Sequence, residues 1–313
     1  MNQEILGGGQ PVRVGLRDRV LALRSQPMFE GLDDDGLLLL AEHGRSTSYA
    51  DGQVIAVEDE PARSVYLVTQ GAIVVSRRGT ELTTRVAGEA YGGLPVLARE
   101  PSTLAVAKGE TRALEVPAAA FESALVENFS LLRNTLRVLG TGVLAIRGNM
   151  PADPDVPRAI DEGSYYAEPL SLVEILIQLR QSPFGRMNLD ALVDMARYMV
   201  DVRYPAGELL WSIGDTSTHA LHVEAGRVRC TGSDGRHVAI GRGFTIGVLD
   251  VWSRTRVYEA RTETPIIAFR IDFESFLALI ETHPEVGLDL LRGFARELLN
   301  ARTPSGRSTP PPK

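Results

Sequence analysis

The residues that could do chemistry are few and scattered. His219 and His222 lie in Thr-His-Ala-Leu-His-Val. Two histidines on one strand face could ligate a metal, but a spacing of three sends their rings to opposite faces of a strand. No Glu follows at a position that would complete a ligand set, so no metal site is expected. His43 and His237 are dispersed, and His283 beside Pro284 reads as a helix start. Cys230, the single cysteine, can form neither an internal disulfide nor a multi-cysteine zinc site. It lies in a strand pattern and is expected to be a small core residue. Asp33-Asp34-Asp35 lacks the alternating oxygens and distal Glu of a calcium loop and reads as a helix cap. No Ser/His/Asp cluster, Walker loop or paired-carboxylate motif stands out. No catalytic residue is assigned, and the chain is expected not to be an enzyme.

The elements that would have to position any site come from an ordinary globular chain. It has 313 residues, 44% apolar and 23% charged, and a length that suggests two domains. No stretch approaches the roughly 20 apolar residues of a membrane helix. Residues 1–15 lack a basic region followed by an apolar block, so no secretory signal is expected. With one cysteine, a reducing cytoplasm fits best. There are 33 basic and 40 acidic residues, a net charge of −7, which disfavours a chain built to grip nucleic acid. Lys108 and Lys313 are the only lysines, an arginine bias read as the codon usage of a GC-rich bacterium.

The chain repeats itself once. Gly52 recurs as Gly207, Gly71 as Gly226, Gly88 as Gly243, Gly92 as Gly247 and Phe121 as Phe276, every offset being 155. Tyr49-Ala-Asp-Gly52 answers Tyr204-Pro-Ala-Gly207, and Val68-Thr-Gln-Gly71 answers Val223-Glu-Ala-Gly226. Upstream, Leu23-Arg24 matches Leu179-Arg180 at an offset of 156. A glycine fixes a backbone requirement, so shared glycines predict shared turns.

Each copy reads as helices, then short strands, then a closing helix. In the first, Leu16 to Ser25 and an Asp-capped segment over Leu37 to Ala41 are helical. Strand runs follow at Val54–Val57, Val65–Val68, Ala72–Val75 and Leu82–Val86, a spacing that suggests a β-barrel or sandwich. Phe129, Leu132, Leu136, Leu139 and Val143 paint one face of the closing helix. In the second, Leu172–Arg180 and Leu189–Met199 are helical. Leu209–Ile213, Ala220–Val223, Val228–Cys230, Val238–Ile240 and Ile266–Ile271 read as strands, and Val286, Leu290, Phe294 and Leu298 line a closing helix. The expected domains are 13–147 and 168–302, with a flexible start over 1–12, a proline-rich linker over 148–167 (Pro151, Pro154, Pro157) and a disordered tail over 303–313.

Both copies resemble the cyclic-nucleotide-binding domain, the module of bacterial cAMP receptor proteins and protein kinase A regulatory subunits. The cues are Pro27-Met28-Phe29-Glu30-Gly31-Leu32, Tyr49 before Gly52, Tyr66-Leu-Val68 before Gly71, Gly88-Glu-Ala-Tyr-Gly92-Gly-Leu94, and Phe121. Gly214-Asp215 fits the pattern in the second copy. The resemblance implies an α+β, mainly β fold: two tandem β-barrel (jelly-roll) domains, each flanked by helices. It implies no bound cofactor, a ligand of the cAMP or cGMP class or another small anion, and a protein partner. A homodimer through the closing helices is a further expectation. With no helix-turn-helix segment after the closing helix, direct DNA binding is not expected.

The resemblance also implies a phosphate cassette, in which a Gly-Glu-Leu-Ala turn opens a short helix toward the phosphate. An Arg about nine residues on pairs with that phosphate. In the first copy the turn is Gly92-Gly93-Leu94, so Gly93 replaces the Glu, and Pro101 or Ser102 replaces the Arg. Ser102 and Thr103 could still donate hydroxyls. In the second copy Gly247, Val248 and Leu249 form the turn, Val248 replaces the Glu, and Arg256 stands at the phosphate-binding position. Val257, Tyr258 and Glu259 follow it. Tyr258 is expected to crowd the pocket, and a carboxylate at 259 to repel a phosphate. Two readings follow: a sensor that holds a nucleotide through Arg256, or degenerate domains that act as a protein-binding scaffold.

Overall fold

The computed structural model describes residues 9–25, 29, 32–153, 159–181 and 183–302. Pro27, Met28, Glu30, Gly31, Pro154 and Pro157, the Gly7-Gly8 pair and the 303–313 tail lie outside them. The chain forms two compact units, one of residues 1–135 with 288–313 and one of 136–287.

In the first unit the strands Ser64–Arg77 and Leu104–Pro117 form the spine of a seven-stranded antiparallel sheet. Arg45–Tyr49 and Val54–Ala56 pair with the second of these, and Thr80–Val86 and Ala90–Tyr91 with the first. One face gathers Tyr49, Tyr66, Val68, Ile73, Val75, Ala105 and Ala107 into a core. The seventh strand, Gln10–Pro11, pairs with Arg45–Tyr49; helices Leu16–Arg24 and Asp34–His43 lie between these two strands in the chain, and Ala118–Glu127 follows the sheet. Asp33 caps its helix, accepting from the Gly36 N–H at 2.8 Å, as its position ahead of the apolar run predicts.

The second unit repeats the plan as two four-stranded antiparallel sheets. One orders Thr245–Ile246, His219–Ala225, Ile266–Asp272 and Val200–Tyr204. The other orders His237–Ile240, Val228–Gly232, Tyr258–Thr262 and Leu209–Trp211. Leu221, Val223, Val228, Cys230, Ile240, Tyr258 and Ala260 pack between them, joined by Met150 and Ala152. Cys230 is buried here as a core residue, and burial raises its thiol pKa above the ordinary range. Helices Leu172–Gln181 and Leu189–Tyr198 precede the sheets, and Phe273–Thr282 follows.

The architecture is α+β and mainly β, as expected, with three corrections. The sheets are jelly-roll-like and open, not closed barrels. Two strand runs read as separate in the first copy, Val65–Val68 and Ala72–Val75, are one strand. Register shifts between Val68 and Ala72 carry it around a corner that Gln70-Gly71 had suggested was a turn. In the second copy the equivalent strand does break, and so does its neighbour, where Pro265 offers no N–H to the ladder. The apolar face of Pro284–Arg302 is also rotated from expectation. Val286, Leu291, Ala295 and Leu298 are buried, whereas Leu290 and Phe294 are half-buried.

All four repeated glycine pairs have positive φ, from +75° to +98°. The pair at the cassette turn shows why. A Cβ on Gly92 would lie 2.5 Å from the Ser64 carbonyl oxygen, and one on Gly247 would lie 2.5 Å from a guanidinium nitrogen of Arg256.

Candidate functional site

In the second unit the cassette closes on itself. After Gly247 the chain makes a short 3-10 turn, Asp250–Ser253, that carries Asp250 inward. Arg256 follows on the approach to Tyr258–Thr262. Its side chain is 1% exposed and that of Asp250 is 0% exposed. The guanidinium Nη1 donates to both carboxylate oxygens of Asp250, at 3.2 and 3.4 Å. Nη2 donates to the His219 carbonyl at 2.6 Å, while Nε has no partner. The guanidinium plane lies over Trp211, 3.9 Å from the ring centroid, a cation–π contact in a desolvated place. The backbone on either side is pinned, with Arg256 N donating to Asp215 O and Gly214 N to Arg256 O.

The rest of the turn is also engaged internally. The Gly247 N–H donates to the Tyr258 hydroxyl at 2.7 Å. Tyr258 is buried against Trp211, so the ring expected to crowd the pocket fills it. Leu249 is buried, and Val248 and Val257 are half-buried, Val257 against the core. Glu259 lies apart from the guanidinium and faces Arg261 at 3.6 Å. The carboxylate that an incoming phosphate would meet is therefore Asp250, not Glu259.

The electrostatics follow from burial. Desolvation raises the Asp250 pKa, and the Arg256 charge and hydrogen bonds pull it back only in part. His219, edge-on to Trp211, titrates at about 4, lowered by burial and then by the charges of Arg256 and Arg270. Burial raises the Tyr258 hydroxyl well above its ordinary range, so it stays a neutral partner for the Gly247 N–H. A buried ion pair needs most of its hydrogen-bonding groups satisfied, and here Nη1 and Nη2 are bonded internally while Nε alone of the guanidinium nitrogens is not.

The first unit has the turn without the charges. Gly92 opens the helix Gly93–Ala98, whose Pro95, Val96, Leu97 and Ala98 are buried, with Gly93 and Leu94 half-buried. Ser102 is buried, its backbone bonded to Glu60 O and Asp59 N. Thr103 accepts from the Tyr91 hydroxyl through its carbonyl at 2.8 Å. Arg99, the nearest basic residue in sequence, pairs with Glu122 at 3.3 Å. No guanidinium reaches the turn among the described residues.

Sequence reasoning picked out Arg256 and its turn but missed Asp250 as its partner and Trp211 as its platform. The available signal was an acid placed inside the turn, six residues before the Arg. Nothing local marks Trp211, which comes from a different strand. The two histidines lie on opposite strand faces, as a spacing of three requires: His219 packs on Trp211 and His222 on Phe184.

With this geometry in hand, comparison with known proteins gives one family. The cyclic nucleotide-binding domain matches residues 46–128 and again 201–283, more than half of the chain. The two matches are themselves 155 residues apart. Among solved structures, the chain is similar to the regulatory subunit of a cAMP-independent protein kinase A from Trypanosoma brucei. That match has 13% identity, covers 96% of this chain and 94% of that one, and has a TM-score of 0.37. It is similar to the regulatory domain of Toxoplasma gondii PKA crystallised with cAMP, at 16% identity, coverages of 90% and 97%, and a TM-score of 0.36. It is also similar to the N-terminal domain of a Streptomyces coelicolor transcriptional regulator, at 25% identity, coverages of 39% and 93%, and a TM-score of 0.35. Glutaminase 2 of Bradyrhizobium diazoefficiens is 22% identical over 116 residues, 37% of this chain. The chain spans only 19% of the length of that curated relative. Among the described residues no helix is long and apolar enough to cross a membrane.

Proposed function

Because this chain belongs to the cyclic nucleotide-binding domain family, with one copy in each half, we propose that it is a non-catalytic regulatory protein that works through a protein partner. In this reading its second cassette is held shut from within, and neither copy takes up a cyclic nucleotide. Of the two expectations drawn from the sequence, the geometry favours the scaffold. The observation that carries this is the Arg256 guanidinium, 1% exposed, paired with Asp250 and stacked on Trp211. A phosphate would have to displace a carboxylate already desolvated with its Arg, and the exchange gains little because one buried anion replaces another. Among the described residues of the first copy no guanidinium stands at the turn to receive a phosphate, and a lost charge-assisted bond is worth about 1.5–3 kcal/mol. A cytoplasmic setting and a bacterial source belong to the same proposal, as does pairing of two copies through the closing helices.

Isothermal titration of the full chain with cAMP and cGMP tests it. The expected result is no saturable binding up to millimolar nucleotide, for the wild type and for Arg256→Ala alike. Stoichiometric binding by the wild type that is lost in Arg256→Ala would replace the scaffold with the sensor.

A further inference from the structure

A second polar site lies within the same unit and shares no lining residue with the cassette. It is a cleft of about 280 Å³ lined by Asp161, Gln178, Gln181, His222, Glu224 and Arg242 beside Gly243. That is the small end of ligand cavities. Strand alternation builds it. Leu221 and Val223 of His219–Ala225 enter the core, so His222 and Glu224 face the other way, toward the helix Leu172–Gln181.

Two ionisable groups are buried in its wall, His222 at 1% exposure and Glu224 at 6%. His222 Nδ1 lies 2.9 Å from the Thr245 hydroxyl, and its ring is edge-on to Phe184. Its Nε2 lies 3.3 Å from a Glu224 carboxylate oxygen, within ion-pair distance. The direction is not that of a hydrogen bond, however, and Nε2 is left without a partner. A hydrogen bond weakens steeply when misaligned. The two ring nitrogens of His222 are thus flanked by the Thr245 hydroxyl and the Glu224 carboxylate, which leaves Glu224 as the anionic group of this wall. Across the cleft Arg242 donates to Gln178 Oε1 at 3.2 Å and has no carboxylate partner among the described residues. The fold itself does not demand this polarity. The positions 155 residues earlier are Leu67, Thr69 and Ala87.

We propose that this cleft binds a small zwitterion of the α-amino-acid class, its ammonium received by the Glu224 carboxylate and its carboxylate by Arg242, with the Gln178 and Gln181 amides selecting among side chains. The mixed charge decides the class. A simple anion would meet Glu224 and Asp161, and a simple amine would leave Arg242 unmatched. Such a ligand would tie the helix Leu172–Gln181 to the sheet. The inference stands apart from the reading of Arg256, so either can fail alone.

The test is titration calorimetry and thermal shift on the full chain with each proteinogenic α-amino acid, and with the matched amine and carboxylic acid of any that binds. At least one amino acid should bind saturably at one per chain and raise Tm, with neither half-analogue doing so. Arg242→Met and Gln178→Leu change surface-reaching side chains, and circular dichroism checks that they fold. Arg242→Met should weaken binding about tenfold or more, and Glu224→Gln likewise if it folds. The proposal is overturned if no amino acid binds saturably at millimolar concentration, if the acid alone binds as tightly, or if Arg242→Met changes nothing.

Discussion

At positions 155 residues apart, the first unit places Ala56, Pro95 and Pro101 where the second places Trp211, Asp250 and Arg256. The glycine that opens the turn is common to both, with φ of +87° and +82°. One copy fills the space behind that turn with buried apolar side chains, the other with a cation, its counter-ion and a ring. The three polar-site residues are present together in one copy and absent together in the other. Physical chemistry demands this, because a buried charge without its partner is far more costly than either complete solution. The same contrast holds on the opposite strand face, where Leu67 answers His222.

That contrast can be broken, and Trp211 and Trp252 are the only tryptophans and both lie in the second unit, so selectively excited tryptophan fluorescence reports on the unfolding of that unit. The largest effect is expected from Asp250→Ala, which strands Arg256 in the core. Denaturant titration should show a loss of about 3–5 kcal/mol. Pairing Asp250→Leu with Arg256→Met should recover most of it, since the site then resembles its apolar twin. Next comes Gly247→Ala. Gly207 also has positive φ, +81°, but open space around it, so Gly207→Ala should cost about 1–2 kcal/mol. Gly247→Ala should cost more, because its Cβ would also press on Arg256 and the His219 carbonyl.

A pH dependence is expected next, and in the second unit. His219 titrates at about 4 when folded against an ordinary 6.5, lowered by burial, Arg256 and Arg270 and opposed by Asp272. The unfolded chain therefore takes up a proton that the folded one refuses. Stability held above pH 6.5 is lost as the pH falls from 6.5 to 4. About 1–3 kcal/mol is at stake for this half-buried ring, and His219→Gln should flatten that part of the curve. The smallest effect sharpens the likeness instead of the difference. Asp33 and Asn188, again 155 apart, cap equivalent helices at 2.8 and 2.7 Å. Asp33→Ala and Asn188→Ala should each cost about 1 kcal/mol, measured by thermal melts.

How much of this the sequence revealed depends on the range of the interaction. Glycine positions, helix caps and apolar runs are local, and the repeated turns, the Asp33 cap and most strand runs could be read from them. Strands such as Arg45–Tyr49 and Leu104–Pro117 escaped because their solvent faces are polar or charged and their partners lie far along the chain. The cassette was legible as a turn followed by an Arg. Whether that Arg was free depended on Asp250 within the turn and on Trp211, 45 residues upstream, and no spacing rule connects them. The His222 cleft was illegible for the same reason. Its walls come from a strand, a helix and a turn that only the fold brings together.

The division of the chain has a consequence for synthesis. The second unit is continuous over 136–287, whereas the first takes in 288–302 as well as its opening 135 residues, and Arg296 reaches Glu100 at 4.0 Å within it. A chain emerging from the ribosome can thus complete the later unit before the earlier one. At that point the segment holding Asp250 and Arg256 is complete, while residues 288–302, which belong to the first unit, are still to be made.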